Sequence, residues 1–210
     1  MSEKIIESAN KVFKNALRTV EVKSIAEIPY MDPEVERVTL GNREFTRHKN
    51  PTELGTDSDL GGFVESTATV SGTAYIGRHA LILDSAKISD NAHIFGYARV
   101  FGKAQVYGNA WIYGNAVVFG SAKIYDNAKV YNSAGVYGSA EIFGNAEIYG
   151  KAEIYGNAHV YDGAQVYDNA HVYEDAQVSG YAQVSGSAEI YGKAWVHGNA
   201  DVHGRGFISG

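Results

Sequence analysis

The chain has 210 residues, 45% of them hydrophobic, with 24 Gly, 15 Tyr, 3 Pro and no Cys. Without cysteine it has no disulfide framework, no thiolate metal site and no cysteine nucleophile, which fits a reducing compartment. A formal net charge of −6 argues against duplex nucleic acid as a partner, because that affinity rests on a basic surface.

The first sixty residues have ordinary grammar. Ile5, Ile6, Ala9, Val12, Phe13, Ala16, Leu17 and Val20 recur at helical spacing, so an amphipathic α-helix is expected over about 3–20. Glu3, Lys4, Glu7, Lys11, Lys14 and Arg18 interrupt every apolar run there. No signal peptide or membrane span is expected, and the default location is the cytoplasm. Residues 21–60 hold Pro29, Pro33 and Pro51, and RVTLGNREFTR reads as a short hairpin turning at Gly41-Asn42. NPTELGTDSDLGG, residues 50–62, reads as a connector. Residues 1–60 are therefore expected to be a helix and connector capping a repeat domain over 61–210.

From Val64 onward the grammar changes. Counting in sixes, every one of the 25 positions from 64 to 208 is Val or Ile. Two residues earlier, every one of the 23 positions from 68 to 200 is Ala, with Gly62 and Gly206 at the ends. A period kept this strictly is a solenoid signal. Side chains alternate along a strand, so each Ala and the Val or Ile two residues later share one side, the interior. The residue between them (Lys87, His93, Arg99, Gln105, Trp111 and Glu141 among others) then faces solvent. An outward residue comes next, then Gly or Asp, often with Asn behind it, and such pairs make sharp bends. One hexapeptide cannot bury its own Val; coils stacked about 4.8 Å apart can.

This pattern, small-Ala-x-[Val/Ile]-[aromatic]-[Gly/Asp] in tandem, resembles the hexapeptide-repeat superfamily, the left-handed parallel β-helix. The entry Gly61-Gly62-Phe63-Val64-Glu65 into TVSGTAYIG resembles its long, loop-poor enterobacterial and prophage branch, whose members are often labelled acyltransferases. The resemblance implies an all-β fold with three hexapeptides per triangular coil, hence about eight coils over residues 62–208. One departure is the aromatic inserted before the bend Gly.

Acyltransferases of that superfamily place a catalytic His near a loop bulging from a coil, at a cleft between subunits of a trimer. The count of six never slips between 64 and 208, so no such loop fits there, and a lid would have to come from residues 1–60. His93, His159 and His171 are outward but, at eighteen residues per coil, fall on three faces. His197 and His203 sit at the aromatic position on neighbouring faces near Trp195 and are the weak catalytic candidates. The carbonic-anhydrase-like branch binds zinc through a His pair five apart, a spacing not found here. No metal and no cofactor are expected. Carboxylates crowd the C-terminal half and Lys and Arg the N-terminal half. That asymmetry reads either as solvated surface or as a field that steers a partner.

The aromatic position is Phe or Tyr at fourteen consecutive repeats, from Phe95 to Tyr173. At three repeats per coil these rings form three columns, one of them Phe101, Phe119, Tyr137, Tyr155, Tyr173 and Tyr191. This column is the expected binding surface. Its rings either sustain one another by stacking, form a subunit or partner interface, or offer sugars a platform. The expectation is a non-catalytic structural or protein-interaction rod, a homo-oligomer (trimer or dimer) in a phage-associated setting, bound to another protein and not to membrane or nucleic acid. The alternative is a trimeric acyltransferase using acyl-coenzyme A.

Overall fold

The computed structural model describes residues 19–51 and 60–210. It is an all-β parallel solenoid with almost no helix. Most of the helix expected over 3–20 lies outside the described residues; its last two positions, Thr19 and Val20, belong instead to a strand, β1 (Thr19–Glu21). A three-residue strand at the end of a helical pattern is decided by its partner: β1 lies parallel to β2 (Arg37–Leu40). The hairpin forms as expected, with β2 antiparallel to β3 (Arg43–Lys49) and Leu40 opposite Arg43. Of the expected connector, residues 52–59 lie outside the described residues, and Leu60-Gly61-Gly62 already open β4 (Leu60–Glu65).

After β4 each hexapeptide contributes a short strand, most of two residues, and strands eighteen residues apart pair in parallel. Thus Gln105 and Val106 pair with Lys123 and Ile124, which pair with Glu141 and Ile142. Three sheets result, with twelve, eight and eight strands. The first sheet begins β1-β2-β3-β4 before the repeat strands, so residues 19–49 continue the first face of the solenoid. They also cover the antiparallel edge of β4.

The interior obeys the alternation. Inward Ala and Val or Ile from Ala74 to Ile190 form one continuous core, each at most 1% exposed. Each buried Val or Ile contributes about 1.5–3 kcal/mol relative to exposure. Bends are made by a residue at positive φ directly after the aromatic position. Usually it is Gly, but Asp84, Asp90, Asp126, Asn132, Asp162, Asp168 and Glu174 also adopt φ of 56–59°. The acids among these are compensated locally. The Asp126 carboxylate accepts the Gly144 N–H at 3.2 Å and that of Asp162 the Gly180 N–H at 3.2 Å, one rung on.

A second core joins the segment 19–49 to the first face, gathering Ile28, Val38, Phe45, Phe63 and Leu81. Arg47 binds it together. This buried guanidinium donates to the carbonyls of Val35 (2.6 Å), Gly61 (2.9 Å), Arg78 (3.3 Å), Met31 (3.2 Å) and Asp32 (3.1 Å) and lies over the Phe63 ring. Burial, then the nearby Arg78 charge, push its pKa down, but an arginine keeps its proton at any ordinary pH. Asn50 pairs with the backbone of Ile76 through both ends of its amide, at 3.0 and 2.8 Å. It stands where a further strand would pair.

Candidate functional site

The outward aromatic positions build three ring columns. In the first, Phe101, Phe119, Tyr137, Tyr155, Tyr173 and Tyr191 succeed one another at 4.8–5.3 Å with planes within 12° of parallel. A second runs Phe95, Tyr113, Tyr131, Tyr149, Tyr167. The third runs Tyr107, Tyr125, Phe143, Tyr161. The repeat fixes this: eighteen residues return the chain to the same edge one strand spacing higher.

The geometry decides what these rings can offer. Face-to-face stacking hides both faces of each interior ring, so every ring of the first column is half-buried. Edges and hydroxyls remain, which disfavours the sugar platform, since a sugar packs on an open ring face. Several of the hydroxyls are engaged as well. Tyr131 donates to Glu147 at 3.1 Å, Tyr137 to Glu153 at 2.8 Å and Tyr173 to Glu189 at 3.0 Å. Tyr161 and Tyr167 donate to Gln177 and Gln183 at 3.3 Å. Burial first, and then the neighbouring carboxylates, push the Tyr125 hydroxyl up to about 12.

The charge asymmetry is partly internal. Lys123 donates to Glu141 at 2.7 Å and Lys129 to Glu147 at 2.9 Å, each pair one rung apart where the basic half meets the acidic half. The Lys123 hydrogen bond holds the Glu141 carboxyl below its usual range, although burial opposes it.

The histidines do not converge. His93, His159 and His171 lie on the third, second and first faces. His197 and His203 are exposed and come after strands of the second and third sheets. The His197 ring leans on Trp195 at 4.4 Å, and His203 Nδ1 stands 3.7 Å from the exposed Asp201 carboxylate. Among the described residues no cluster of three His, Asp or Glu is placed to hold a metal ion. Nor is any helix there long and apolar enough to cross a membrane.

A cleft does form where residues 19–49 lie against the first face, as a pocket built from residues 1–60 would require. It measures about 530 Å³ and is lined by Ile25, Pro29, Tyr30, Leu81, Tyr97 and Arg99, with Asn115 at one side. Ser24 caps the short 3-10 helix Ile25–Tyr30 by accepting the Ala26 N–H, and Pro29 sits inside it. The Pro29 carbonyl lies 2.6 Å from His79 Nδ1, and the His79 ring stacks on Tyr97 at 5.0 Å. Tyr30 leans on Tyr97 at 5.5 Å while 70% exposed. Reading the hexapeptides alone misses this cleft. Two signals mark it: Leu81 puts an aliphatic residue at an outward position otherwise largely polar, and Tyr97 puts a ring where neighbouring repeats have Asn, Ser or Lys.

Residues 104–120, 122–138 and 164–180 match the YdcK beta solenoid repeat family, three stretches that together make up a minority of the chain. No curated protein and no solved structure matches. The match agrees with the solenoid and is similarity to a repeat, with no activity attached.

Proposed function

We propose that this chain is a non-catalytic structural or protein-interaction rod. The observation that carries the reading is the unbroken eighteen-residue register from β4 to the strand Phe207–Ser209, which leaves flat walls with no inserted loop. A catalytic site needs a positioned base, a site for developing charge and exclusion of water. The walls offer rings already stacked on one another and carboxylates bonded to Lys and Tyr. The cleft beside Tyr97 is lined by one cation and by no carboxylate or imidazole.

The same reading includes a left-handed winding in about eight coils, supported by the eight-stranded second and third sheets together with the resemblance to hexapeptide repeats. It also includes a homo-oligomer (trimer or dimer), a protein partner and a cytoplasmic, phage-associated setting, for which the resemblance is the support. The competing reading is a trimeric acyltransferase. Sedimentation of protein isolated under native conditions, with mass spectrometry of what accompanies it, separates a rod that works through contacts from one that does not. A stoichiometric assembly is the expected result. A bare monomer under all native conditions contradicts it.

A further inference from the structure

The outward row of the first face runs Leu81, Arg99, Val117, Gly135 before the polar Glu153 continues it, and this first stretch carries no acid. Leu81 is buried under the segment 19–49, at the base of the cleft. The Arg99 side chain has no hydrogen bond or ion pair among the described residues, unlike Lys123 and Lys129 on the other faces. Val117 is next, half-buried and apolar. At Gly135 no side chain projects at all.

The backbone does not require that glycine. It is absent from the positive-φ positions, and a Cβ there would find its nearest atoms at 3.8 Å on the Tyr137 ring and 3.9 Å on Glu153, ordinary contact distances. A glycine within a strand often marks a place where another chain approaches closely. Leu81 to Gly135 is three rungs, roughly 14 Å at about 4.8 Å per rung, the length of about four residues of extended peptide. One side of this track is the edge of Phe101, Phe119 and Tyr137. The other is Tyr97, Asn115 and Ser133, and neither the Asn115 amide nor the Ser133 hydroxyl has a side-chain hydrogen-bond partner among the described residues.

We infer that the first face binds an extended acidic peptide of a partner protein, anchored by an apolar side chain in the Tyr30–Tyr97 cleft, with a carboxylate on Arg99 and backbone passing over Val117 and Gly135. Each part has a matching chemistry. The cleft removes an aromatic or aliphatic side chain from water; Arg99 supplies a two-pronged donor for a carboxylate; Asn115 and Ser133 meet peptide N–H and C=O groups. The strand-like peptide crosses the rungs where glycine leaves room for its main chain. This inference rests on the reading of the chain as an interaction rod and names the working face.

The test uses the full chain and fluorescein-labelled octapeptides with Phe or Leu two residues before paired aspartates, beside matched peptides carrying Lys in place of Asp. Saturable binding of the acidic peptides, and not of the lysine ones, is expected by fluorescence anisotropy. Arg99→Glu should weaken it about tenfold or more by setting like charges together. Gly135→Gln should weaken it comparably, by putting an uncharged side chain in the path of the peptide main chain, while the melting temperature stays unchanged, because the site tolerates a Cβ. Lys193→Glu, remote on another rung, should change nothing. Binding indifferent to both Arg99→Glu and Gly135→Gln, or no preference for acid over lysine, overturns the proposal. So does sedimentation showing that either substitution dissociates copies of this chain, since a second copy would then be the occupant. Failure here leaves the rod reading standing unless acetyl-coenzyme A binds as well.

Discussion

The Tyr137 hydroxyl donates to the Glu153 carboxylate at 2.8 Å, sixteen residues on and one rung away, while the Tyr137 ring stacks on Tyr155 at 5.0 Å. Ring column and carboxylate row are therefore one lattice. Burial, then the Glu153 hydrogen bond, push the Tyr137 pKa well up. Burial and then the Glu189 hydrogen bond push that of Tyr173 up to about 12.

These raised values imply an alkaline transition. A tyrosine whose folded pKa is raised contributes stability that is fully present below the unfolded value, near 10, and is lost as pH rises through the folded value. Melting temperature measured against pH should hold level to about 9.5 and fall steeply between about 10 and 12. Replacing Tyr131, Tyr137 and Tyr173 with Phe should flatten that fall. An unchanged slope in the triple variant assigns the transition to other groups.

Ile142 has no exposed surface, and its neighbour Glu141 is half-buried. Ile142→Asp should cost about 3 kcal/mol or more, by burying an unpaired carboxylate among aliphatic side chains. Glu141→Lys should cost about 1 kcal/mol, because it loses the partly exposed Lys123 pair and sets two ammonium groups a rung apart. Chemical denaturation measures both. Equal costs would place the inside and outside registers wrongly.

Arg47→Lys should loosen residues 19–51 and leave the repeats folded. A lysine has three donors on one atom and cannot reach carbonyls arranged around a planar fork, so the carbonyls of Val35, Gly61, Met31 and Asp32 lose partners. Hydrogen exchange should quicken in β1–β3 and in the strand β4, with little change beyond Gly135. Uniform quickening along the whole chain would show that the segment and the solenoid unfold together.

Asp162→Ala should cost about 1 kcal/mol, since Ala gains nothing at φ of 59° and the Gly180 N–H loses its acceptor. Asp162→Gly should cost less, because glycine adopts that φ freely. Thermal melts that rank Ala above Gly in stability would contradict the role assigned to the bend.

Much of the solenoid was legible because its code is local and repeated. Ala164 and Val166 state their inward direction in their own hexapeptide, and the step of eighteen then places Tyr137 over Phe119. The region before Leu60 was harder. The RVTLGNREFTR hairpin carries its own turn, but Thr19–Glu21 becomes a strand through Arg37–Leu40, eighteen residues away and without a repeat to announce it. Nothing next to Arg47 signals burial either, because its five acceptors are backbone carbonyls distant in the sequence. The cleft combines Tyr30 with Tyr97, and only the breaks at Leu81 and Tyr97 point to it.

The most direct measurement is calorimetric titration of the intact protein with acetyl-coenzyme A, repeated on His197→Ala and His203→Ala. A rod with continuous walls and no catalytic pocket should give no saturable heat with any of the three proteins. Saturable binding by the parent protein that disappears in either histidine variant would contradict the non-catalytic reading and establish an acyl-coenzyme A site at the C-terminal coil.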